Sequence, residues 1–140
     1  MGREKRGQEG HPLGLIDRIW IVFAALNGAV AVGTGAYASH ALAAQPQAQE
    51  WFRIAGQYQM AHALALVLLV ALGGRIRSGG GLALRIGGWL FVAGILLFCG
   101  TLYALATVGP LPVPMTAPAG GWCFMLGWVA LAAAALRTRG

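Results

Sequence analysis

Charge is scarce in this sequence. Only 10% of its residues are Asp, Glu, Lys or Arg, against about a quarter in soluble domains, which excludes a conventional water-facing surface. Cysteine is scarcer still. Cys99 and Cys123 each lie inside an apolar stretch, a pattern that fits neither a secreted disulfide framework nor metal-ligand spacing. Outside the N-terminal segment the only acidic residues are Asp17 and Glu50, both at the ends of apolar runs, so no carboxylate pair is available for acid–base chemistry. No nucleophile and base stand together either, and the Gly-Gly-Gly at 79 to 81 lacks the Lys and Ser/Thr of a phosphate loop. These absences argue against an enzyme, and no cofactor or metal site is expected.

What is present is apolar. Residues of the AVILMFWYC set make up 58% of the chain, with 22 glycines and a mean hydropathy of +0.67, so the 140 residues read as one integral membrane domain. The net charge of +6 does not imply a nucleic-acid partner, because the basic residues flank apolar runs instead of forming a stripe on a soluble face. They act as orientation signals.

Four spans emerge from the apolar runs. The stretch from Ile19 to Ala38 is free of charge and interrupted by Asn27 and Thr34, and its length gives about 30 Å of helix. A small-residue end at Ala36-Tyr37-Ala38 resembles a signal-peptide cleavage site, but the run exceeds a usual signal core, and an uncleaved span is expected. Spans are predicted over about 19–40, 53–73, 87–108 and 119–136, in an all-α bundle within residues 18–140, with residues 1–17 as a flexible cytoplasmic tail. In the second span the purely apolar part is only Ala61 to Leu72, so Gln57, Tyr58 and Gln59 must be drawn into the membrane. Residues 73 to 88, with Arg75, Arg77 and Arg85 among glycines, read as a flexible basic loop. The alternating prolines 110, 112 and 114 cannot continue a helix. Nine of the ten Lys and Arg residues fall on one side of this arrangement and Arg53 alone on the other, which predicts cytoplasmic N- and C-termini in a bacterial inner membrane.

Polar residues inside the membrane are the candidates for function. They are Asn27 and Thr34 in the first span and Tyr58, Gln59 and His62 in the second. The latter three share about a 100° arc of one helix face. Asn27 lies about 12 Å deep and His62 about 15 Å deep from the cytoplasmic end, which predicts a hydrogen bond between them. Structural glue is the leading reading; a lipid, quinone or proton site is the alternative. A bis-histidine haem between His40 and His62 is not expected, since the two imidazoles differ by about 13 Å in depth. His62 is also the one ionisable candidate for coupled transport, which makes a carrier a weak reading. Small residues recur at Ala25, Ala29 and Gly33 and at Gly87, Gly94 and Thr101, stripes that serve either bundle packing or contact with another protein.

Four stretches carry a family resemblance: Gly35 to Leu42 (GAYASHAL, with His40 in its turn), Gln57 to Leu64 (QYQMAHAL), Phe98 to Tyr103 (FCGTLY) and Thr116 to Gly121 (TAPAGG). In order and spacing the chain resembles domain-of-unknown-function family 423, the YgdD-type small four-helix membrane proteins. Ala38-Ser39 stands where the family pattern has Gly-Ala, and Ala117 splits its Thr-Pro pair. The resemblance implies a four-helix membrane fold with no established activity. The resulting expectation is a small polytopic protein, non-enzymatic, acting as an accessory, assembly or structural subunit. Its partners would be the lipid bilayer and a larger membrane complex or further copies of itself.

Overall fold

A computed structural model describes residues 13–76 and 79–137. Most of the expected flexible tail, two residues of the basic loop (Arg77 and Ser78) and residues 138–140 lie outside the described residues. The chain forms four helices, α1 Leu15–Ala41, α2 Pro46–Gly73, α3 Gly81–Thr107 and α4 Thr116–Leu136, each long and apolar enough to cross a membrane.

The helices extend beyond the charge-free stretches. Pro46 opens α2, a position where its missing N–H is no loss, and the 28 residues of this helix reach about 42 Å. That exceeds a hydrocarbon core of about 30 Å, so the first turns, with Glu50 and Arg53, project into the interface. At the other end the predicted loop is shorter than expected. Because α3 begins at Gly81, Arg85 lies within the helix. One cation among Leu82, Ala83, Leu84 and Ile86 does not interrupt a turn already closed by Leu84 N–H on the Gly80 carbonyl. The proline run does stop α3: Gly109 turns away with φ +92°, and Met115 enters α4 in the left-handed region at φ 68°.

Successive helices pack on each other, α1 on α2, α2 on α3 and α3 on α4. Gly88 of α3 lies under the Trp20 ring of α1, and Gly79 and Gly80 lie against the carbonyls of Arg137 and Ala134. The start of α1, the α2–α3 turn and the end of α4 therefore share one end of the bundle, and Arg18, Arg75, Arg85 and Arg137 gather there. Within α3 the stretch Ile95–Cys99 is π-helical. Before it α3 packs chiefly on α4; after it the helix packs on α2. One extra residue rotates the remainder of the helix by about 100°, which accounts for the change of neighbour.

The core includes Trp20, Ala55, Leu66, Leu69, Phe91, Ile95 and Phe124, whereas Leu26, Leu64, Leu96, Trp122 and Val129 face outward. The two small-residue stripes have separate roles. Gly87 and Gly94 admit α4, as a Cβ at Gly94 would run into the Phe124 ring, and Thr101 donates to Thr116 at 2.8 Å. Ala25, Ala29 and Gly33 point away from the bundle.

Candidate functional site

Polar side chains from α1, α2 and α3 form one directional chain. Asn27 Nδ2 donates to its own helix at the Phe23 carbonyl, 2.8 Å away. Its Oδ1 accepts from Gln59 Nε2 at 2.7 Å, and Gln59 Oε1 accepts from the Tyr103 hydroxyl at 2.7 Å. Thr34 Oγ1 lies 2.9 Å from that hydroxyl. With the tyrosine proton committed to Gln59, Thr34 is the donor in this pair, its single proton shared with the Ala31 carbonyl at 3.2 Å. Gln59 is the hub, only 4% exposed. In lipid such groups have no water to turn to, and aligned bonds of this kind polarise one another.

The expected bond between Asn27 and His62 is replaced by Asn27 to Gln59. Gln59 and His62 are three residues apart, so their directions differ by about 60°; α1 meets the Gln59 side and α4 the His62 side. His62 is 5% exposed, and its ring lies 3.6 Å from that of Phe124 at an interplanar angle of 12°. Trp128 Nε1 donates to His62 Nε2 at 3.2 Å. An indole can only donate, so Nε2 accepts, and the proton on Nδ1 goes to the Tyr58 carbonyl at 2.7 Å. Both ring nitrogens are thereby engaged in a neutral imidazole, leaving neither for a metal or a relayed proton.

Of the remaining candidates, Tyr58 borders this network, its ring stacked 6.0 Å from that of His62, and His40 lies away from it. Tyr58 sits at the rim, 45% exposed, its ring 4.8 Å from that of Phe98. His40 is exposed in the last turn of α1. No metal-sized group of His, Cys, Asp and Glu occurs among the described residues. Sequence reasoning missed Tyr103, the link between Gln59 and Thr34, and Trp128, the partner of His62. Both carry a donor that hydrocarbon cannot satisfy, which is the signal that could have found them.

The four motif stretches converge in this structure, the first through Ala38 and Leu42, whose cluster packs against Tyr103. Tyr103 bonds Gln59, Thr101 bonds Thr116, and Gly120 lies against the Phe98 backbone. A family model described as protein of unknown function (DUF423) matches residues 34–121. The chain belongs to this family. Among its relatives, the UPF0382 membrane protein YwdK of Bacillus subtilis is 32% identical over 123 residues, covering 86% of this chain and 98% of the relative. The UPF0382 membrane protein of Haemophilus influenzae is 36% identical over 122 residues, covering 86% and 95% respectively. No solved structure matches significantly. The DUF423 match includes Thr34, Gln59, His62 and Tyr103, while Asn27 and Trp128 lie outside its limits.

Proposed function

We propose that this multi-pass membrane protein is a non-enzymatic accessory or structural subunit of a bacterial inner membrane, with both termini cytoplasmic. The observation that carries this reading is the closed chain from Thr34 through Tyr103 and Gln59 to Asn27. Its polar groups end on one another or on backbone carbonyls, which suits glue between helices better than a substrate path. The pairing of Asn27, Gln59 and His62 with other helices supports this reading over the alternative of a lipid or quinone held at Asn27, Tyr58, Gln59 and His62, although the half-exposed Tyr58 side chain lies outside that pairing.

The outward stripe of Ala25, Ala29 and Gly33 supplies the contact surface, since small residues let a second helix approach closely. A Cβ at Gly33 would meet nothing within 4 Å. A photo-reactive residue at Ala29 should therefore cross-link in native membranes to another membrane protein or to a second copy. Gly33→Leu should reduce that yield several-fold while changing bundle stability by no more than about 0.5 kcal/mol. An unchanged yield would count against this surface.

Orientation is tested separately. The basic count of nine against Arg53 alone supports cytoplasmic termini. Reporters fused after Gly140 and within residues 110–119 should give opposite signals, the former cytoplasmic. A periplasmic C-terminus would overturn the topology.

A further inference from the structure

We propose that the groove between α1 and α2 binds one bilayer phospholipid lengthwise, its phosphate at Arg53 and an acyl chain running toward Leu64. The groove has a volume of about 610 Å³ and is walled by both helices, within the range of about 300–1,000 Å³ for ligand sites. From Gln49 to Leu64 it extends about 22 Å along α2, more than the half-thickness of a hydrocarbon core of about 30 Å. A missing side chain contributes to the space: Gly35 lines the groove, and a Cβ there would meet nothing within 4 Å.

Polarity changes along the groove in the sense that a phospholipid requires. Ser39, Gln49, Arg53 and Gln57 line the end near the α1–α2 turn, while Val32, Met60 and Leu64 line the deeper part. Phosphate-binding donors are present as well, on an arginine already paired with Glu50. Among the described residues Arg53 is the single Lys or Arg at its end of the bundle. Glu50 takes its Nε and one terminal nitrogen, at 2.7 and 2.5 Å. A guanidinium has five N–H donors, so three remain for phosphate oxygens, the geometry that arginine offers to such groups. Glu50 is not part of the groove lining. The proposal rests on different residues from the accessory role: Gly33 and Gly35 differ in direction by about 160°, although Val32 at the groove's edge neighbours Ala29 of the accessory stripe.

The test uses the full chain in nanodiscs containing a diazirine-bearing phospholipid, followed by peptide mapping and native mass spectrometry in mild detergent. The wild type should retain one phospholipid per chain and be labelled mainly within residues 56–64. Gly35→Leu, which fills the groove, should lower retention about tenfold, Arg53→Gln should lower it several-fold, and Gly33→Leu should leave it unchanged. Millimolar inorganic phosphate should not displace the lipid, because the acyl chain carries part of the binding. Equal retention in the wild type, Gly35→Leu and Arg53→Gln, or labelling spread evenly over outward residues such as Leu126 and Val129, would overturn the proposal. So would a protein cross-link from a photo-reactive residue at position 35 in place of lipid. Should Gly35→Leu fail to fold, the Arg53→Gln comparison and the labelling map decide the question alone.

Discussion

Gly120→Ala should destabilise the bundle by about 2–3 kcal/mol, whereas Gly121→Ala should leave it unchanged or stabilise it by up to about 1 kcal/mol. In an exposed helix interior both changes would be mildly favourable, because alanine exceeds glycine in helix propensity by about 1 kcal/mol. The surroundings reverse the sign at one position. A Cβ on Gly120 would collide with Phe98 N and lie 2.9 Å from its Cα, while a Cβ on Gly121 would meet nothing within 4 Å. At Gly88 or Gly94 the obstacle is an aromatic ring, which can tilt. At Gly120 it is the backbone of the π-helical turn Ile95–Cys99, and moving it displaces the segment that delivers Tyr103 to Gln59. Thermal or SDS-induced unfolding in micelles measures the difference. Equal stability of the two variants would show that α3 and α4 are further apart than the structure places them.

Gln59→Leu should cost about 2 kcal/mol and Tyr58→Phe less than about 0.5 kcal/mol. The first removes the hub of the chain and leaves Asn27 Oδ1 and the Tyr103 hydroxyl without their 2.7 Å partner. Unpaired buried groups carry a penalty of about 1–3 kcal/mol each, moderated in membranes because the unfolded chain also finds partners. In the second variant a rim side chain, 45% exposed, keeps its ring contact with Phe98. A Tyr58→Phe loss as large as that of Gln59→Leu would move the important chemistry to the rim.

The four spans are legible in the sequence because hydrocarbon tolerates so few charges that charge-free runs mark the helices directly. Helix ends are less legible. Arg85 has the look of a loop residue, yet a single cation near an interface is compatible with helix. Asn27 and Gln59 both stand out as polar groups at bilayer depth, and periodicity places Gln59 and His62 on one broad face. Which of the two meets α1 depends on how neighbouring helices divide that face, and a single sequence does not carry this. Tyr103 is harder still, because the π turn before it shifts the phase of α3, and residue spacing contains no trace of that shift. Rise per residue is enough to separate His40 from His62 in depth: His40 is in the last turn of α1 and His62 well inside α2.

The intramembrane polar residues hold the helices to one another. A double-mutant cycle with Asn27→Ala and Gln59→Ala, read by reversible unfolding in mixed micelles, addresses this most directly. Hydrogen bonds of this kind average about 0.6 kcal/mol and reach about 1.7 kcal/mol, so a coupling energy in that range is predicted, with simple additivity for Asn27→Ala and His62→Ala. Additive losses at Asn27 and Gln59, or coupling between Asn27 and His62 instead, would contradict the account.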